Sequence, residues 1–341
     1  MTYLRNCWYM AAWTDELSDQ GLARTFLDEP VLLYRDVAGD PHALFDRCPH
    51  RFAPLSLGDI SHGVVTCRYH GLAFDGSGTC VRNPHGTVTR ALSTRSYPVA
   101  EAHRALWIWM GDPSLADRSA IRDLSFLSAA PNTAFNKGYV LGRGNYQLFV
   151  DNILDLSHTD YLHPDTLGGG SVTRARAQVE EQGDAVISIK WHSFDDVPPP
   201  LVATKLPPGI ERADSWTEVE WTAPGVMKLV NGAVPAGHPR EGASNSINVH
   251  IMTPETRRTT HYFFASTRDY AVDDAALNEQ IRQLRAHIFS TEDEPMIAAQ
   301  QARINDHDFW SLKPALLKID EGAVKVRRRM DALITAEQGA A

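Results

Sequence analysis

The chain has 341 residues and a formal net charge of −9, long enough for two domains with separate cores and too acidic for nucleic acid as a general partner. No apolar run has the length of a bilayer span, and the start, Met1 to Tyr9, lacks a basic region followed by an apolar stretch. With only four cysteines in an ordinary composition, these features predict a cytoplasmic protein with no membrane partner and no disulfide framework.

Residues 1–45 alternate apolar and polar in short runs such as Val31-Leu32-Leu33-Tyr34-Arg35. That pattern predicts strands, with turns at Glu29-Pro30 and Gly39-Asp40-Pro41. Two short ligand-rich loops follow, Cys48-Pro49-His50 and, after sixteen residues, Cys67-Arg68-Tyr69-His70. Thiolate and neutral imidazole bind soft or borderline metals. A common zinc finger pairs Cys with Cys and then His with His, whereas each loop here offers one sulfur and one nitrogen. That suits a [2Fe-2S] cluster with both thiolates on one iron and both imidazoles on the other. A structural zinc site is the alternative. The residues and spacing of Cys48, His50, Cys67 and His70 resemble the Rieske family.

The flanks agree with that resemblance. Asp75-Gly76-Ser77-Gly78 predicts a tight turn between strands, and Asn83-Pro84-His85-Gly86 a loop able to cover the cluster. His42, His62 and His85 lie outside the two loops and read as surface or hydrogen-bonding histidines. Cys7 and Cys80 read as free thiols. Ala105 to Met110 is another strand, closed by Gly111-Asp112-Pro113. Residues 1–115 therefore form an all-β domain, and 113–135 a linker with a short helix. No Gly-x-Gly-x-x-Gly stands between a strand and a helix, so the chain itself is not expected to bind a nicotinamide or flavin nucleotide.

The stretch from Leu148 to Pro164 reads as a helix that is apolar nearly all round yet carries Asp151, Asp155, His158 and Asp160. Buried acids and imidazoles need partners, and a metal is one. Asp155 and His158 are three apart and share a helical face. Pro164 disfavours helix at His163, so the helix is expected to end near Asp160–Leu162 and let His163 turn back toward His158. Two histidines and a carboxylate on one side of an iron leave open positions for dioxygen and substrate.

Asn152-x-x-Asp155-x-x-His158-x4-His163 resembles the iron motif of Rieske non-haem iron oxygenases, and Asn6-x-Trp8-Tyr9 with the C-terminal tail resembles their vanillate O-demethylase and dicamba monooxygenase branch. The resemblance implies an α+β chain, an N-terminal Rieske domain (1–115) and a catalytic mononuclear iron domain (116–341) with an antiparallel sheet flanked by helices in a helix-grip-like arrangement. It implies a late carboxylate as third ligand to a mononuclear Fe(II). Ala275 to Arg303 reads as a long helical stretch, with Leu277, Ile281, Leu284 and Ile288 on one apolar face. Asp293 lies within the continuing stripe, between Glu292 and Glu294, and best matches the ligand position. Pro295 interrupts the stretch and makes Ser290 to Asp293 a possible cap.

The resemblance further implies a homotrimer in which the cluster of one subunit faces the iron of the next, with Asp155 bridging His70 across the interface to His158. A ferredoxin or an NAD(P)H-dependent reductase would supply electrons, docking on the positive patch of Arg47, Arg51 and Arg68. His250 matches a position where a histidine can donate a hydrogen bond to an aromatic acid. The expected activity is O2-dependent oxidation of an aromatic substrate, in this branch O-demethylation of a methoxylated aromatic acid. Ring or side-chain hydroxylation is the alternative within the family. A plain Rieske electron carrier would need neither the 226 residues after position 115 nor the second histidine group.

Overall fold

The structure is a computed structural model and describes residues 3–130, 132–183 and 185–340. It comprises two compact units. One holds Tyr3–Asp123 together with Thr253–Thr256, and the other Leu124–Met252 and Arg257–Ala341. The division falls a few residues beyond the boundary expected after residue 115.

The N-terminal unit is all-β. Trp8–Trp13 pairs with Ala105–Trp109, which pairs with Val99–Ala102. A second sheet runs Leu22–Phe26, Glu29–Arg35, Pro41–Phe45, Ser96–Tyr97, and a third Asp59–Ser61, Val64–Thr66, Ala73–Phe74, Cys80–Arg82. The turn expected at Glu29-Pro30 lies earlier, and Pro30 sits inside a strand opposite Thr25. The chain reverses at Leu27-Asp28, both left-handed (φ 52° and 67°). No glycine marks this turn. Its amides are held from outside, because Leu27 N–H and Asp28 N–H donate to the carbonyls of Pro254 and Glu255 at 3.0 and 2.9 Å. A contact so distant in sequence leaves no local signal.

The cysteines of the two ligand loops belong to a core. Cys48 and Cys67 are buried with Leu32, Tyr34, Leu44, Val65 and Phe74. Each large apolar side chain buried there contributes roughly 1.5–3 kcal/mol, which fixes the strand ends from which the loops hang.

The second unit is built on a seven-stranded antiparallel sheet. Its order is Ala134–Gly142, Thr259–Arg268, Asn245–Thr256, Val226–Pro235, Ala213–Thr222, Val186–Asp196, Arg176–Gln182. Met227–Asn231, Ser246–Met252 and Thr260–Phe264 all lie within these strands. Alternation supplies a buried face, as in Ile187, Ile189 and Trp191. The C-terminal helix Glu321–Ala340 packs near this sheet at Gly322, where a Cβ would stand 2.0 Å from Ile189 Cδ1, so glycine allows the approach without moving that side chain. The expected linker helix is replaced by three 3₁₀ turns, Pro113–Leu115, Arg118–Ala120 and Ser125–Ser128. Among the described residues no helix is long and apolar enough to cross a membrane.

Candidate metal centres

The first donor set lies on the two ligand loops of the N-terminal unit. Each loop closes the same way. Phe52 N–H donates to Cys48 O and Gly71 N–H to Cys67 O, both at 2.9 Å. Cys48 N–H and Cys67 N–H donate to Ala53 O and Leu72 O, both at 2.8 Å. Paired loops of one geometry put the thiols inside and the imidazoles outside, with the rings of His50 and His70 4.5 Å apart. Burial pushes the Cys48 thiol up to about 11 and the neighbouring Cys67 adds to the rise, while the amides of His50 and Arg51 pull it down. A thiol so placed ionises only beside a cation. Burial holds His70 below the ordinary imidazole range, helped by the nearby His50, His85 and Arg51, so it stays neutral as a ligand must. The four donors fit a cluster with two thiolates and two imidazoles.

His85 Nε2 lies 2.9 Å from the His70 carbonyl, so the loop of Asn83 to Gly86 does reach over the second ligand loop. His42 bonds Asp36 and His62 bonds Ser61, neither a metal group. Cys7 and Cys80 are in no disulfide among the described residues. Arg47, Arg51 and Arg68 are all exposed, and Arg47 also stacks on Phe45 and Phe52.

The second donor set lies in the other unit. Asn145 caps the helix Tyr146–Leu154 by accepting from Gln147 N–H at 3.0 Å. The helix does not run on to Asp160–Leu162 as the apolar pattern suggests. It stops at Asp155, which is extended (φ −105°, ψ 94°) and starts a 3₁₀ turn over Leu156–His158. The Asp155 carboxylate accepts from Ser157 N–H and Oγ at 3.0 and 2.6 Å. This local bonding competes with the helix ladder and breaks it. The short helix Thr159–Leu162 follows, and His163 turns inward, fully buried.

Within the subunit, Asp155 meets His158 through its main chain. His158 Nδ1–H donates to the Asp155 main-chain carbonyl at 2.5 Å rather than to its carboxylate. Nε2 is thereby left as the donor atom for a metal. Asp151 is not a metal group either. Its carboxylate is held by the Arg327 guanidinium, with Nε at 2.8 Å, against burial that pushes its pKa up. Arg327 comes from the C-terminal helix, a partner the local pattern could not reveal.

Asp293 arrives on a different element. The helix Ala275–His287 continues into Glu294–Ile304 through a wide π turn, Ile288–Asp293. Asp293 is helical (φ −68°, ψ −54°) and does not cap a new segment. Pro295 has no N–H for the carbonyl one turn back, so the ladder widens there instead of ending. The three neighbouring acids then diverge. Glu294 is bound by Arg143 at 2.7 and 2.9 Å, Glu292 Oε2 accepts from His163 Nδ1–H at 2.6 Å, and Asp293 Oδ1 lies 3.0 Å from His163 Nε2 and 3.5 Å from His158 Nε2.

One donor atom each from His158, His163 and Asp293 fall within 4.8 Å of one another. Although burial opposes it, the neighbouring imidazoles of His158 and His163 hold the Asp293 carboxyl well below the usual range. Two imidazoles and one carboxylate that all point inward are the donor set of a non-haem iron with free positions. Asn152 Nδ2 donates to Asp293 Oδ1 at 3.0 Å and lies 3.3 Å from His158 Nε2, which fixes both groups.

A pocket opens beside this triad, with about 680 Å³ of space free of protein atoms, part of it open to solvent. The stripe expected on the Ala275–His287 helix lines it through Ile281 and Leu284, with Ile288 following. His250 is on its wall. Burial lowers its pKa to about 3, so it is neutral, and Nδ1 lies 2.7 Å from the Tyr262 hydroxyl. Asn231, Asn248 and Arg285 also line the pocket, and none was singled out in the sequence. The signal for Arg285 was present, since it sits within the apolar face of Ile281, Leu284 and Ile288.

The chain belongs to the Rieske non-haem iron oxygenases of the vanillate O-demethylase branch. Residues 7–98 match the Rieske [2Fe-2S] domain and residues 143–336 the vanillate O-demethylase oxygenase C-terminal domain. It is 39% identical over 336 residues to the dicamba O-demethylase oxygenase component of Stenotrophomonas maltophilia, with 98% of each chain covered. It is 38% identical over 337 residues to the chloroacetanilide N-alkylformylase oxygenase component of Rhizorhabdus wittichii, covering 98% of this chain and 97% of that one. A crystal structure of dicamba monooxygenase bound to dicamba superposes with a TM-score of 0.92 at 38% identity, over 99% of this chain and all of that one. The protein is thus the oxygenase component of a Rieske monooxygenase system. It uses a [2Fe-2S] cluster and a mononuclear non-haem iron, and draws its electrons from a separate component.

Proposed function

We propose that the protein removes the methyl group of a methoxylated aromatic acid. The observation that carries the reading is the His158, His163 and Asp293 triad at the wall of a largely apolar pocket. Cys48, His50, Cys67 and His70 would hold the cluster, and the triad the iron. Bound there, the metals would pass two electrons to dioxygen, so that with two protons one oxygen atom enters a C–H bond and the other leaves as water.

The chain's own residues do the rest. Glu292 and the Asp155 carbonyl each accept from Nδ1–H, so both imidazoles present Nε2. Asn152 steadies the carboxylate. The apolar wall of Ile281, Leu284, Ile288 and Phe289 favours an aromatic body and keeps water from the reacting carbon, and neutral His250 donates a hydrogen bond to the substrate acid. Hydroxylation of a methoxy carbon gives a hemiacetal, which separates into a phenol and formaldehyde.

The working assembly is a homotrimer, with the cluster of one subunit serving the iron of the next and Asp155 linking them. A ferredoxin or an NAD(P)H-dependent reductase in the cytoplasm docks near Arg51 and Arg68. The test is a panel of methoxybenzoates with a reductase, followed by oxygen uptake and formaldehyde. One formaldehyde per oxygen consumed supports demethylation. Ring- or side-chain-hydroxylated products without formaldehyde would replace it with hydroxylation.

A further inference from the structure

Among the described residues, two basic side chains of the catalytic unit form no ion pair with a carboxylate. Arg285 lines the pocket, yet among the described residues no carboxylate pairs with it. Its Nη2 donates to Asn248 Oδ1, and its Nε is sealed from solvent without a partner. Lys205 likewise has no carboxylate partner and donates to the carbonyl and side-chain oxygen of Asn231. A guanidinium largely removed from water without an anion is destabilised. A site that keeps one gains by receiving the anion.

The two amides sharpen the argument. Each side-chain oxygen accepts from a basic group behind it, so each amide is oriented with its NH₂ group left to donate. Asn231 and Asn248 both line the pocket. The pocket's one carboxylate, Asp293, belongs to the metal triad. Apart from that triad, the polar lining is dominated by donors. His250 does not supply the charge, because burial keeps it neutral. Burial lowers Arg285 only to about 10, which leaves it charged at neutral pH.

We propose that Arg285, with the amides of Asn231 and Asn248, is an oxyanion site, and that the substrate carries a carboxylate or sulfonate seated there. The proposal rests on the pocket being the substrate's, as argued above, and it names the group that selects among aromatic substrates. A planar guanidinium suits a carboxylate or sulfonate edge, and rejects a neutral isostere because the buried donors would stay unpaired.

The probes are 3-methoxybenzoate, 3-methoxybenzenesulfonate and the neutral 3-methoxybenzamide, titrated calorimetrically into anaerobic holoenzyme. The wild type is expected to bind at least one anion ten-fold or more tightly than the amide, and the better anion identifies the natural head group. Arg285→Gln is expected to weaken that anion about 10- to 100-fold, the range for a hydrogen bond to a charged group, with the amide unchanged. Arg285→Lys should restore part of the preference. Equal binding of amide and anions by the wild type, no binding of either anion, or a preference that survives Arg285→Gln would each overturn the proposal. So would a lowered Tm with equal losses for amide and anions, which marks a structural arginine. Formaldehyde is scored separately. Anion preference without formaldehyde removes demethylation and leaves this site standing, while formaldehyde from the amide as readily as from the acids does the reverse.

Discussion

His163 gives one nitrogen to the triad and the other to Glu292 at 2.6 Å. A carboxylate in that place fixes the ring's tautomer and raises its basicity. Glu292→Gln is expected to lower iron affinity about 10- to 100-fold and to leave the cluster's absorption unchanged. Iron retention during dialysis against a chelator measures it, and retention equal to wild type would count against the pairing. Lys205 offers a second test at this scale. Burial, with a smaller push from Arg285 and against the pull of Asp269, lowers its pKa to about 7. The folded value lies below the unfolded one, so the penalty is complete at and below pH 7 and fades as pH rises toward about 10.5. Lys205→Met should therefore gain most on the wild type below pH 7 and progressively less toward pH 10, read as urea midpoints. A gap that widened with pH would contradict the shift.

At the scale of elements, the π turn Ile288–Asp293 sets the direction of Asp293. One residue turns a helix by about 100°. Deleting exposed Ser290 is expected to rotate Asp293 away from His158 and His163. Total iron would then fall from about three per chain to two, the cluster's share, while the red-brown colour stays. Unchanged iron would mean that another group completes the triad. This element also shows what sequence can carry. The Cys and His loops, His158 and His163 are local spacings and were legible, as were the strands, whose alternation is local too. The wide turn, the break at Asp155 and the reversal at Leu27-Asp28 depend on Pro295, on an Asp155–Ser157 side-chain bond and on residues 254–255, so regular periodicity misplaced them. Arg327, which satisfies Asp151, and Lys205, which orients Asn231, act across long stretches of chain, and no pattern within one element records such pairs.

At the scale of the molecule, the two donor sets lie in separate compact units, and the proposed trimer assigns each cluster to a neighbour's iron. Subunit mixing tests that assignment. A Cys67→Ser chain loses the cluster and keeps the triad, and a His158→Ala chain does the opposite. Each homotrimer is inactive on its own. Co-expressed at equal levels and assembled at random, three-quarters of the rings contain both kinds of chain. In a head-to-tail ring every mixed trimer has one productive junction out of three, so activity should recover to about a quarter of wild type. Electron transfer within a single chain predicts none, because no chain in the mixture carries both centres. The recovered activity should also depend on mixing before assembly. Combining the two purified trimers without subunit exchange should give nothing, which separates a shared junction from diffusion of a reduced partner between intact rings.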